Sequence, residues 1–263
     1  MDKFEKLKEL IASYESAAVA FSAGVDSTFL LYAAREALGD KLVAVTASSC
    51  FFPESEAEEA EMICEKLNVR HIILKEDVLS VKGVKENPKD RCYLCKRELF
   101  SHIKRTAEEN GLKEVIEGSN TDDTGDYRPG LKALSELGIK SPLRETGLGK
   151  SEIREISQKL GLKTWDKPSY ACLASRIPYG EEITEEKLFR IDRAEQYLRE
   201  LGFRQLRVRL YGRMARIELE PSDIQRALDL TLREKITGRF RELGFSHTAL
   251  DLDGYRTGSL NVW

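Results

Sequence analysis

Residues 21–34 read FSAGVDSTFLLYAA and follow directly on the apolar run AAVAF at 17–21. An apolar, β-prone run that meets a turn of small residues and then an apolar helical pattern is a strand feeding a helix. Ser22, Ala23 and Gly24 let the backbone come close to a ligand, and Asp26, Ser27 and Thr28 open the helix. Unpaired N–H groups at a helix N-terminus, with the helix dipole behind them, form an anion site. Asp26 or Ser27 as a simple helix cap is the plainer alternative. The string lacks the Lys of a Walker loop, so it is a phosphate loop of another kind.

Outward from this junction the same alternation repeats. Apolar runs at 42–47 (LVAVTA), 70–74 (RHIIL) and 114–118 (EVIEG) are separated by helical patterns near 26–38, 54–67 and 92–110. That order predicts an α/β fold, a doubly wound parallel sheet covered on both faces, with ligands at the carboxyl ends of its strands. The pattern changes over 161–184, GLKTWDKPSYACLASRIPYGEEIT, which has no sustained period. Beyond it the sequence predicts a helix over about 184–201, strands RQLRVRL and RMARIELE around Gly212, a long helix over about 222–243 and a last strand HTALDL. The expected organisation is a first domain over 1–165, a linking active-site segment over 166–182, and a smaller C-terminal α+β domain over 183–263.

Three further stretches carry candidate chemistry. NTDDTGDYRPGLKA at 120–133 follows the fourth strand on the ligand side of the sheet. There Asp122, Asp123 and Asp126 are candidate Mg²⁺ ligands and Arg128 a candidate phosphoryl contact, against the alternative of an acidic solvated loop. Lys150, in PLRETGLGKSEIR at 142–154, opens a helix where a cation would offset charge on a bound triphosphate. In LRVRL at 206–210, Arg207 and Arg209 share one face of a strand, which suits a phosphate or carboxylate; pairing with Glu218 of ARIEL is the alternative.

SAGVDS resembles the SGGxDS loop of the PP-loop ATP pyrophosphatases, which adenylate an acceptor and release pyrophosphate. Together with NTDDTGDYRPGLKA, PLRETGLGKSEIR, SRIPYG at 175–180, LRVRL and ARIEL, the chain resembles the LarE sulfurtransferases over nearly its whole length. Ala23 stands where that pattern has its first Gly after Ser. The resemblance implies ATP and Mg²⁺ as cofactors, a pyridinium dicarboxylate mononucleotide as substrate, sulfide or another sulfur donor, and a homo-oligomer. It also implies that Ser175, Arg176, Arg207 and Arg209 bind substrate phosphate or pyrophosphate, and that Glu195 lies near a metal. Many such relatives give up the sulfur of one of their own cysteines; aligned on SRIPYG, that position is Ala171 here.

The chain has five cysteines, two of them three apart in DRCYLCKREL at 90–99. On a helix Cys92 and Cys95 share a face. Cys172, in SYACLASR, is the third candidate, while Cys64 in AEEAEMICEKL reads as core and Cys50 is ambiguous. Three readings stand: a structural Zn²⁺ site completed by His102, a redox dithiol, and a three-cysteine 4Fe-4S cluster with one iron open to hold sulfide. The resemblance favours the cluster, in which Cys92, Cys95 and Cys172 are both metal ligands and catalytic groups alongside Asp26 and Lys150.

Composition bounds the rest. With 263 residues and 41% hydrophobic content the chain needs neither metal nor disulfide to fold. Lys+Arg 42 against Asp+Glu 45 leaves a net charge of -3, which argues against general nucleic-acid binding. Neither a signal peptide nor a membrane span is read, so a cytoplasmic protein is expected. The expected function is ATP-dependent sulfur insertion, with tRNA thiolation and a non-catalytic nucleotide- or iron-sulfur-sensing module as competitors.

Overall fold

A computed structural model describes residues 2–125, 129–168 and 171–256. It divides into two compact units, Met1–Lys82 with Asp90–Ser169, and Gly83–Lys89 with Tyr170–Trp263.

The first unit runs α1 Lys3–Ala12, β1 Ala17–Ala20, α2 Val25–Leu38, β2 Leu42–Ser48, α3 Glu54–Lys66, β3 Arg70–Lys75, α4 Arg91–Glu109, β4 Glu114–Ile116, α5 Pro129–Glu136, α6 Pro142–Glu145 and α7 Lys150–Lys159. Its strands are all parallel in the order β3-β2-β1-β4. Strand periodicity explains why both faces are covered. Ala17, Val19, Leu42 and Ala44 face one core with α1, α2 and α7, whereas Ala18, Val43 and Val45 face a second core with α4 and α5. Small residues in β1 let helices pack closely on both sides. Phe29 on α2 is fully buried, its ring 5.5 Å from that of Phe4 on α1; truncating such a side chain costs about 3–5 kcal/mol.

The strand order reverses at β1, with β2 on one side and β4 on the other. A crevice opens at such a switch point beyond the strand ends, and the segments leaving β1 and β4 enter it. Those segments are the phosphate loop and the polar stretch after Ile116.

The second unit holds α8 Glu185–Glu200, β5 Leu206–Tyr211, β6 Met214–Leu219, α9 Pro221–Ala227, α10 Leu230–Glu242 and β7 His247–Leu250. Its sheet has the order β5-β6-β7, the first pair antiparallel and the second parallel. The single helix expected over 222–243 is two helices. Asp229 breaks it by capping α10, its side chain accepting from the Leu232 N–H at 3.1 Å. Residues 83–89 belong to this unit because Asn87 Nδ2 donates to the carbonyls of Ile177 (3.2 Å) and Pro178 (2.7 Å), and Gly180 N–H donates back to Asn87 O at 2.9 Å.

Candidate functional site

In the first unit β1 leads into the loop Phe21–Gly24. Phe21 N–H donates to Val45 O at 2.9 Å, which continues the sheet; after it the chain leaves the sheet. Ala23 turns the backbone through the left-handed region at φ +51, and Gly24 caps α2 with no side chain in the way. Thr28 N–H makes the first intrahelical bond, to Gly24 O at 2.9 Å. The N–H groups of Gly24, Val25, Asp26 and Ser27 are therefore the four that a helix start leaves without intrahelical acceptors. Ser22 and Ser27 hold the loop shut across its base, with their Oγ atoms 3.1 Å apart and Ser27 Oγ donating to Gly24 O at 3.3 Å.

The stretch after β4 packs against this loop. A Cβ on Gly118 would lie 3.1 Å from Ser27 N and 3.3 Å from the Asp26 carbonyl carbon, so any larger residue would push the loop back by a few tenths of an ångström. Buried Glu117 fixes the stretch from behind, accepting from Ser141 Oγ at 2.5 Å and from the N–H and Oγ of Ser119 at 3.0 and 2.8 Å. Asn120 then organises the aspartates: its N–H donates to Asp123 Oδ2 at 3.0 Å and its Oδ1 accepts from Asp122 N–H at 2.9 Å. Asp122 Oδ2 in turn accepts from Lys150 N–H at 2.7 Å and caps α7 from outside. Asp126 and Arg128 lie outside the described residues.

Three buried polar atoms at this junction, Asp26 Oδ1, Thr28 Oγ1 and Asn120 Nδ2, make no close hydrogen bond among the described residues, although the Asn120 amide stands near enough to Asp26 to favour its ionised form. Orphaned groups at a helix start and a strand end are what a polar ligand would satisfy. Burial pushes the Asp26 carboxyl above its ordinary pKa, and Asp123 adds to this; Lys150, Asn120 and Arg154 pull against it without cancelling it. Sequence reasoning missed Asn120 and Gly118, although both sit in or beside the quoted polar stretch. A cation at the first position of α7 opposes the helix dipole, which is what a nearby anion would offset.

In the second unit the arginines expected to bind phosphate are buried and paired. Arg176 meets Glu195 with two bonds, Nε to Oε1 at 2.8 Å and Nη2 to Oε2 at 2.9 Å, and its Nη1 donates to the carbonyls of Ala171 (2.5 Å) and Cys172 (3.0 Å) and to Ser175 Oγ (3.0 Å). Glu195 also accepts from Arg199 Nη2 at 3.1 Å and Val208 N–H at 3.0 Å. Four donors occupy its two oxygens, so its role here is the arginines' counter-charge. Burial alone would raise its pKa, but Arg176, with Arg207 and Arg199, holds it below the ordinary carboxylate value.

Arg209 forks onto Glu218 at 3.0 Å on both oxygens, and its Nη1 donates to Ser175 O at 2.5 Å. Arg207 lies 5.0 Å over the Tyr255 ring and donates to Leu206 O at 2.7 Å; burial and neighbouring Arg176 push its pKa down to about 10. The strand face carrying Arg207 and Arg209 is thus buried, neither solvated nor open.

Cys92 and Cys95 lie in the first turns of α4, Cys92 half-buried and Cys95 buried, with Arg91 Nη2 3.7 Å from Cys92 Sγ. Cys172 belongs to the second unit. Among the described residues no group of three or more His, Cys, Asp or Glu is gathered tightly enough to hold a metal ion. His102, the residue that would have completed a zinc site, has Nδ1 2.7 Å from Glu76 and Nε2 3.2 Å from Glu98. Cys64 is core, as read from the sequence, with burial pushing its thiol up to about 12. No described helix is long and apolar enough to cross a membrane.

No protein-family model matches the chain. Individual relatives do. One component of a glutamine-hydrolyzing GMP synthase of Archaeoglobus fulgidus is 29% identical over 198 residues, 70% of this chain and 64% of its own length. With the parallel sheet and the loop after β1, this likeness points to the PP-loop superfamily of ATP-using enzymes. The pyridinium-3,5-bisthiocarboxylic acid mononucleotide synthase of Lactiplantibacillus plantarum is 39% identical over 246 residues, 92% of this chain and 88% of its own length. An uncharacterized protein of Synechocystis is 44% identical over 260 residues, covering 98% and 97%. The chain belongs to the LarE family of sulfurtransferases.

Proposed function

We propose that the protein transfers sulfur to a carboxylate of a pyridinium dicarboxylate mononucleotide at the expense of ATP. The observation that carries this reading is the loop after β1, where open helix-start N–H groups lie beside three orphaned buried polar atoms, in a chain 39% identical to a synthase of that thiocarboxylate nucleotide. ATP fits these residues: the N–H groups from Gly24 to Ser27 would take the departing phosphoryl oxygens, and Lys150 would offset their charge. Mg²⁺ would be held by the carboxylates of Asp122 and Asp123 and would neutralise negative charge developing on the phosphates. Adenylation turns a poor leaving group into AMP, so that a sulfur nucleophile displaces AMP and leaves a thiocarboxylate.

Cys92, Cys95 and Cys172 are read as the sulfur-handling thiols. Cys92, whose sulfur lies 3.7 Å from Arg91 Nη2, with Cys95 and Cys172, would supply the sulfur donors of an iron-sulfur cluster, which would carry the sulfur to be transferred. Cys92 and Cys95 lie in the first unit and Cys172 in the second, and it is the chemistry of these donors that supports the cluster. Arg207 and Arg209, with Ser175 and Arg176, are read as the substrate-phosphate side of the site, in a homo-oligomer. The test is anaerobic incubation with ATP, Mg²⁺, sulfide and the pyridinium mononucleotide, followed by mass spectrometry. AMP, pyrophosphate and a thiocarboxylate nucleotide are expected; ADP and orthophosphate would overturn the reading.

A further inference from the structure

Ala23 is a non-glycine residue in the left-handed region, at φ +51, in the middle of the phosphate loop. An L-residue there is disfavoured by about 1–2 kcal/mol, and such a conformation persists only where the surroundings over-determine it. The loop's own bonds do not include the Ala23 carbonyl. Its partner comes from 144 residues further on: Lys167 Nζ donates to Ala23 O at 3.0 Å. The same ammonium is held at 2.5 Å by Glu59 Oε2 of α3, and the Lys167 side chain is only 13% exposed. All three residues belong to the first unit.

The consequence follows from peptide geometry. In a planar trans peptide the C=O and N–H point in opposite directions, so fixing the Ala23 carbonyl fixes the Gly24 N–H on the other side of the loop. Gly24 is the cap of α2, and its N–H is the first of the four that open the helix. We propose that Lys167, anchored by Glu59, is a positioning residue that sets the Ala23–Gly24 peptide plane and so presents the Gly24 N–H to the phosphoryl groups of ATP. With its charge matched by Glu59, Lys167 acts through the backbone instead of binding phosphate itself. A glycine at 23 would not need the strut, because it takes positive φ without strain. Ala23 and Lys167 are in that sense a matched pair.

The proposal rests on the ATP reading of the loop, and binding measurements separate the two. Inorganic pyrophosphate, ATP and adenosine are titrated into the full chain and its variants by calorimetry, with thermal melts as a check on folding. Lys167→Met should weaken pyrophosphate and ATP about ten-fold, the scale of one hydrogen bond to a charged group, and leave adenosine unchanged. Adding Ala23→Gly to Lys167→Met should restore most of that affinity, whereas Ala23→Gly alone should change little. Glu59→Gln, which loosens the strut from its other end, should show a smaller loss with the same ligand pattern, and it serves if Lys167→Met fails to fold. Unchanged pyrophosphate affinity, an equal loss for adenosine, or no recovery in the double variant overturns the proposal. A wild-type protein that binds pyrophosphate but splits no ATP overturns only the functional reading. One that binds neither overturns both.

Discussion

Replacing Glu195 with Gln keeps the side chain's shape and removes one negative charge from the interior of the second unit. The residue is 0% exposed and takes four N–H donors, two of them from Arg176, which is itself 1% exposed. A glutamine can accept on one atom only, and its NH₂ group would face guanidinium donors. Removing one partner of a buried pair costs about 3–5 kcal/mol, because the other charge is left desolvated. In a unit of about a hundred residues each kcal/mol is worth roughly 4–8 °C, so a fall in Tm on the order of 15 °C or more is expected. The pH dependence has a definite sign. Glu195 is held below its ordinary value, so its stabilisation is present above about 4.5 and is lost as pH falls through the lower folded value. Urea titrations of both proteins at pH 7 and in a descending acid series should therefore show a gap that narrows in acid. Arg207→Met supplies the control. The Arg207 charge is already disfavoured by burial and by Arg176, so its loss should cost clearly less than Glu195→Gln. A Glu195→Gln cost under about 1 kcal/mol, or a gap independent of pH, would refute the counter-charge role.

Asp26→Asn should abolish pyrophosphate release while raising Tm by a few degrees at pH 7, because burial raises the Asp26 pKa and its ionised form is disfavoured in the folded state; a lower Tm contradicts this. Gly118→Ala puts a Cβ 3.1 Å from Ser27 N, so the phosphate loop must shift, and the KM for ATP should rise with about 1–3 kcal/mol lost in stability; unaltered ATP kinetics would show the approach is not required. If sulfur is carried by Cys92, Cys95 and Cys172 as proposed, several thiocarboxylate products per chain are expected when sulfide is supplied, with every cysteine at its original mass. A loss of about 34 mass units at Cys172 after a single turnover, with no iron bound through Cys92 or Cys95, is the outcome that excludes this.

What the sequence reveals depends on how local the cause is. The strands of the first sheet are short apolar runs between amphipathic helices, and the loop after β1 is a contiguous string of small and hydroxylated residues; both are legible by eye. The break between α9 and α10 is signalled only by one capping residue, Asp229, inside an otherwise helical pattern. Placement of residues 83–89 in the second unit is not legible, since their bonds run to residues 177–183, about ninety positions away. Lys167 is hidden for the same reason. Arg209 is half legible: its spacing to Arg207 is right, while the choice between an external anion and Glu218 requires the register that sets β5 against β6.

On the proposed reading the two units would meet anions by different physics, and the difference suits the proposed reaction. In the first unit the charge offered to phosphate comes mainly from backbone dipoles at the start of α2, assembled by a strained residue, a close glycine and a distant lysine. Dipoles of this kind hold a leaving group without the cost of separating a full ion pair, so pyrophosphate can depart once the acceptor is adenylated. In the second unit Arg176, Arg199 and Arg207 surround Glu195, and Arg209 and Arg216 share Glu218, with Asp251 also 3.5 Å from Arg216. A group that must stay bound through adenylation and sulfur transfer is better retained by such fixed full charges. A phosphate on the substrate meets that need, whereas the phosphates of ATP must leave.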